Sequence, residues 1–148
     1  MQWFKETFLI KTPGRGMIPV TSHVQKKVES WNIAEGMCFL FLPHTSASLV
    51  LSESYDRDSR ADVEAFFDKV APDAQAWMQH TLEGKDDSAS HIRSVLGGAS
   101  LSIPIENGKL LLGTWQGIFL FEHRAGSHER RFTLRCLSLE ESATPGHA

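Results

Sequence analysis

The chain has 148 residues, a length that one ordinary domain accounts for. With 41% hydrophobic and 22% charged residues it belongs to the globular class; a formal net charge of -3 and a pI near 6.1 argue against a nucleic-acid binder, which needs a basic stripe. No apolar run approaches membrane-spanning length and Met1-Gln2-Trp3-Phe4-Lys5 lacks a signal-peptide pattern, so no membrane partner and a cytoplasmic location are expected.

Phe4 to Ile10 alternates apolar and polar residues as a strand does, and Pro13-Gly14-Arg15-Gly16 reads as a turn. Ser22 and Gln25 have capping-box spacing, and Val24, Val28 and Trp31 follow at helical intervals. Met37 to Leu42 is apolar at every position, which predicts a central strand buried on both faces. Pro43 interrupts it, and Ala47 to Ser52 resumes an extended pattern. A second helix is predicted from about Asp58, with Val63, Phe66, Phe67 and Val70 on one face and Pro72 closing it. After the polar loop around Gly84-Lys85-Asp86-Asp87, Ser88 is placed to cap a short helix carrying His91, Ile92 and Val95, which Gly97-Gly98 ends.

The last third reads as sheet. Leu101-Ser102-Ile103-Pro104-Ile105 alternates, Asn107-Gly108 signals a type I′ hairpin, and Lys109 to Leu112 returns. Pro104 predicts an edge position or a bulge. Ile118 to Phe121 and Phe132 to Leu139 supply further strands, so the expectation is an α+β domain on antiparallel sheet spanning residues 1–141, with a frayed tail at 142–148. Cys38 and Cys136 read as small buried hydrophobes rather than a disulfide.

Three segments carry candidate chemistry. Pro43-His44-Thr45-Ser46-Ala47-Ser48 follows the buried strand, and hydroxyls at a sheet rim suit phosphate oxygens; a bulge satisfying its own backbone is the plainer reading. His80 to His91, with Glu83, Asp86 and Asp87, mixes imidazoles and carboxylates as metal sites do, although its spacing matches no strong zinc signature and His91 can equally be a surface residue. Gly113-Thr114-Trp115-Gln116-Gly117 leads into an apolar strand ending in Glu122-His123-Arg124. There Gln116 can bond a substrate, Glu122 can act as a base or orient a ligand, and Arg124 can meet an anion; a hairpin with a solvated charge cluster is the alternative.

These segments together resemble the YjbQ family. The resemblance rests on His44-Thr45-Ser46-Ala47-Ser48-Leu49, on Glu83-Gly84-x-Asp86-Asp87 running to Ser90-His91-Ile92, on Gly113-Thr114-Trp115-Gln116-Gly117 and on Glu122-His123-Arg124, in order across nearly the whole chain. Ser54, Asp87 and Met78 depart from the family's usual residues, an Asn being common where Asp87 stands. The resemblance implies an antiparallel β-sandwich core with flanking helices, a homotrimer, and a metal held by His44, His80 and His91 near a subunit boundary. It also implies secondary thiamine-phosphate synthase activity, which joins a hydroxymethylpyrimidine pyrophosphate to a thiazole phosphate and releases pyrophosphate. On that reading His44, Glu122 and Asp86 are the catalytic set, and Thr45, Ser46, Ser48, Thr114, Gln116 and Arg124 hold the phosphorylated substrate. The expected ion is zinc at the histidines, or magnesium accompanying the pyrophosphate. A metal-dependent hydrolase and a non-catalytic small-molecule-binding trimer are the alternatives.

Overall fold

Period-two patterning lays down the framework of the chain, and the computed structural model describes residues 1–139; the tail expected at 142–148 lies outside the described residues. The strands are β1 (Gln2–Lys11), β2 (Gly16–Pro19), β3 (Gly36–Phe41), β4 (Ala47–Glu53), β5 (Ser100–Glu106), β6 (Lys109–Leu110), β7 (Gln116–Glu122) and β8 (Glu129–Ser138). The helices are α1 (Thr21–Ser30), α2 (Arg57–Val70) and α3 (Asp87–Gly97). One sheet has the order β1-β8-β3-β5-β6 and the other β2-β7-β4, and every pairing is antiparallel. The α+β expectation holds at that level.

Both sheets contribute to one core. Leu40, Ile103, Phe132 and Leu134 of the larger sheet pack with Leu49, Ile118 and Leu120 of the smaller one and with Val24 and Val28 of α1. Cys38 and Cys136 lie opposite each other on β3 and β8 as free, buried thiols. The hairpin after β5 has positive φ at both Asn107 (51°) and Gly108 (77°), as a type I′ turn requires. Pro104 pairs with Met37, while β6 covers only Ile105 and Glu106, so Pro104 sits where the sheet has almost run out.

Four local expectations need correction. β2 escapes the pattern because it is four residues long and ends in Pro19. No capping box opens α1: Thr21 Oγ1 instead accepts from Ile118 N at 2.8 Å, and the Gln25 side chain reaches the hairpin at Gly108 O and Leu110 N. β3 is buried on one face only, with Phe39 and Phe41 directed outward at 37% and 51% exposure. α3 begins one residue before Ser88, so Asp87 lies on the helix rather than in the loop.

α3 rests closely on β4. A Cβ on Gly97 would sit 2.7 Å from Ser48 Cβ, so only glycine permits this approach. Ser94 Oγ donates to Ala47 O at 2.9 Å, fixing the same contact from the helix side. The N-terminal end of β4 and the loop before it are thereby brought against α3. Among the described residues no helix is long and apolar enough to cross a membrane.

Candidate functional site

The first turn of α3 presents Asp87 and His91 one turn apart, which places both side chains on the same helix face. The loop before the helix returns His80 to that face. His80 Nε2 lies 2.6 Å and His91 Nε2 2.9 Å from the same oxygen, Asp87 Oδ2. The ring centroids of the two histidines are 5.3 Å apart. Asp87 is almost wholly buried, and its other oxygen, Oδ1, accepts from Arg124 Nη1 at 2.6 Å. Burial on its own raises the Asp87 pKa, but the bond to His80 and the charges of His91 and Arg124 outweigh it, so the group is held below the ordinary aspartate value.

Proton counting at His91 singles out this cluster. His91 Nδ1 lies 2.7 Å from Thr45 O, which can only accept, so Nδ1 carries a proton. Nε2 then faces Asp87 Oδ2, a second acceptor. A neutral imidazole has one N–H, so the Nε2 contact needs a second proton or a cation between the two atoms. A backbone carbonyl orienting one ring nitrogen while the other is offered to an ion is the usual arrangement around ligating histidines. His80, Asp87 and His91 form a group whose ligand atoms all lie within 4.8 Å of one another.

Of the three histidines expected to bind metal, His80 and His91 thus meet, while His44 stands outside the group. Its Nε2 accepts from Arg131 N at 2.9 Å. Burial, then the charges of Arg130 and Arg131, lower its pKa and keep the ring neutral. His44 and Thr45 nonetheless share with His91 an open cleft of about 570 Å3, which Val95, Gly98 and Ala99 also line.

The other expected site residues are mostly engaged inside the protein. Glu122, expected as a base, has no solvent exposure; it accepts from Arg130 Nη2 (2.6 Å), Arg130 Nε (2.8 Å), Thr12 Oγ1 (2.8 Å) and Arg124 N (3.2 Å). Burial alone would raise its pKa, but the bonds from Arg130, Thr12 and Arg124 lower it on balance, so Glu122 is a fixed anion. Asp86 Oδ2 accepts from Arg124 Nε at 3.0 Å and Ala125 N at 2.9 Å, and these bonds outweigh burial to keep it ionised. Ser46 Oγ accepts from the buried Arg130 at 2.9 Å. Ser48 Oγ lies 2.8 Å from His123 Nε2, with both residues fully buried. Arg124 is spent on Asp86, Asp87 and Glu83 O. Of the expected hydroxyls, Thr45 alone lines the cleft.

Thr114 and Gln116 lie elsewhere in the chain. Gln116 pairs with Glu53 at the far end of β4, six residues and roughly 20 Å of strand from Ala47, and its Oε1 accepts from Gly113 N at 2.8 Å. Four residues missing from the expected set complete the picture. Asp87 was legible as an i,i+4 partner of His91 once the helix start is placed correctly, and Arg130 as a basic residue close in sequence to Glu122; Thr12 carried no local signal. His123 stacks on Phe67, and its Nδ1 is buried with no hydrogen-bond partner. Burial, with Arg93 adding to it and Glu122 opposing, pushes His123 down to about 3, so it is neutral.

Comparison with known proteins agrees with this framework. Residues 6–138 match the model of a family described as UPF0047 protein YjbQ-like. A UPF0047 protein of Synechocystis is 42% identical over 126 residues, covering 85% of this chain and 86% of the relative. The UPF0047 protein YjbQ of Salmonella typhimurium is 42% identical over 130 residues, covering 87% and 94%. A solved yjbq/upf0047 family protein of Clostridium acetobutylicum is 36% identical with a TM-score of 0.81, covering 89% of this chain and 99% of that one. A YbjQ-like protein of Sulfolobus solfataricus, described as of unknown function, is 26% identical with a TM-score of 0.81, covering 93% and 99%.

None of these descriptions carries an activity, and the expected thiamine-phosphate synthase function is corrected on that finding. The geometry gives a physical reason as well. Ser46, Ser48, Glu122 and Arg124, expected to grip two phosphorylated substrates or move a proton, are consumed by internal bonds.

Proposed function

The chain belongs to the YjbQ/UPF0047 family, and from that premise we propose that it binds a divalent transition-metal ion through His80, Asp87 and His91, beside a cleft that admits a small molecule. The carrying observation is the convergence of two imidazole Nε2 atoms on one carboxylate oxygen, with His91 already donating from its other nitrogen. Two imidazoles and one carboxylate suit zinc, whereas magnesium takes a shell of oxygens. Because Arg124 occupies Oδ1, Asp87 offers one oxygen, and three protein ligands leave coordination positions free. A metal so held supplies Lewis-acid polarisation of a bound oxygen. Asp87 supplies the negative charge, Thr45 O sets the His91 tautomer, and Arg124 fixes the carboxylate.

Metal analysis with calorimetric titration of zinc tests this reading. The expected result is one ion per chain, lost on His91→Ala; an apo protein that takes up no zinc at micromolar concentration ends it.

The same reading includes a homotrimer and a face-to-face sandwich of the two sheets. The sandwich is supported by the core that both sheets share. Support for assembly comes from the outer face of the five-stranded sheet, where Trp3, Leu9, Phe39 and Phe41 are 52%, 64%, 37% and 51% exposed. The four share one face of the sheet by register, and apolar side chains gathered on one exposed face mark interaction surfaces. Sedimentation velocity reads the mass directly, and a monomer at micromolar concentration excludes the assembly.

A further inference from the structure

We infer that the cleft binds a small monocarboxylate with an apolar body, one carboxylate oxygen meeting the metal and the other accepting a hydrogen bond from His44 Nδ1. This rests on the metal reading above and goes beyond it in naming the ligand and giving His44 a role other than ligation.

The tautomer of His44 is fixed by its neighbour. Arg131 N donates to His44 Nε2 at 2.9 Å, and a backbone N–H can donate only to a bare ring nitrogen, so the proton of the neutral ring is on Nδ1. No acceptor among the described residues takes that N–H, and it is not a buried atom. His44 therefore offers a donor at the cleft it lines together with His91.

Charge and surface chemistry define what the donor meets. Asp86 and Asp87 are both paired with Arg124, so a divalent ion at Asp87 leaves about one positive charge on the assembly. None of the cleft-lining residues carries a carboxylate to cancel it, which calls for a monoanion. Nor does any lysine or arginine line the cleft, which is what a phosphate dianion would seek. Ser94 is already donating to Ala47 O, leaving the His44 N–H and the Thr45 hydroxyl as the protein donors beside the metal, and neither carries a charge. Val95, Gly98 and Ala99 give the cleft its apolar lining, which receives the carbon body.

Cobalt(II) substitution reads both halves of the inference, because the visible absorption of the ion reports its coordination. The cobalt protein is titrated with benzoate, acetate and inorganic phosphate. Benzoate is expected to change the spectrum saturably and to bind more tightly than acetate or phosphate. In His44→Gln the side-chain carbonyl keeps an acceptor for Arg131 N–H but the Nδ1 donor is gone. This variant should bind cobalt as wild type does and benzoate about tenfold or more weakly. Phosphate binding more tightly than benzoate overturns the carboxylate class, and loss of cobalt affinity in His44→Gln overturns the donor role by making His44 a ligand. The wild-type competition stands alone if the variant does not fold. Cobalt binding with no response to benzoate defeats this inference alone, whereas a wild type that takes no cobalt defeats the metal reading and this inference with it.

Discussion

Replacing Glu122 with glutamine distinguishes a structural anion from a catalytic base. The carboxylate is fully buried and accepts four hydrogen bonds, two of them from Arg130, which is itself 5% exposed. An amide in the same place turns an NH2 toward one pair of those donors and leaves the guanidinium without a counter-ion. Breaking a buried pair in this way costs about 3–5 kcal/mol, because the remaining charge stays desolvated. In a domain of this size that lowers Tm by roughly 10 °C. Urea unfolding followed by tryptophan fluorescence measures the loss. A value under about 1 kcal/mol, the range of exposed pairs, would refute the reasoning. The pH dependence supplies a second check. Since the folded pKa is lowered, the stabilisation is present above the unfolded value and is lost as pH falls through the folded one. The gap between wild type and variant should therefore narrow below about pH 4.3, the ordinary glutamate value. A gap that widens on acidification contradicts the assignment.

His80→Ala should weaken zinc binding by about 100-fold or more in calorimetric titration, since it removes one of three ligands, and unchanged affinity counts against the cluster. Gly97→Ala drives a methyl group against Ser48 and should cost about 1–3 kcal/mol in urea unfolding; a neutral result means that α3 moves freely on β4. His123 favours its neutral form in the fold, so its contribution is complete above about pH 6.5 and declines as pH falls toward 3, by up to about 1.4 kcal/mol per pH unit. His123→Gln should flatten that part of the stability profile, and an identical slope in the variant rejects the assignment. Phe41→Glu should dissociate the proposed trimer in sedimentation velocity without altering the circular dichroism of the monomer; persistence of the trimer would move the interface elsewhere.

The sheet framework was legible because alternation, the Asn107-Gly108 turn and the Gly97-Gly98 stop are local signals. The faces of β3 were not, since an apolar residue turned outward is indistinguishable in sequence from one turned inward. At the site, His80 and His91 lay within one polar segment and their meeting could be anticipated. Asp87 was read among the carboxylates of that segment but not as a ligand, because Ser88 looked the better cap and left it in the loop. The roles given to Glu122 and Arg124 failed for a different reason. Their partners Thr12, Asp86, Asp87 and Arg130 lie between 8 and 110 positions away, and nothing local reveals that a charge is already taken.

Glu122, His123 and Arg124 are consecutive, yet each is locked into a different layer: the ion pair with Arg130, the aromatic packing on Phe67, and the carboxylate that serves α3. A single inserted or deleted residue there would turn each side chain to the opposite face and deliver it to the wrong partner. Chain length should consequently be frozen at the end of β7 and through Ala125, whose N–H is tied to Asp86, so that divergence in length has to fall elsewhere.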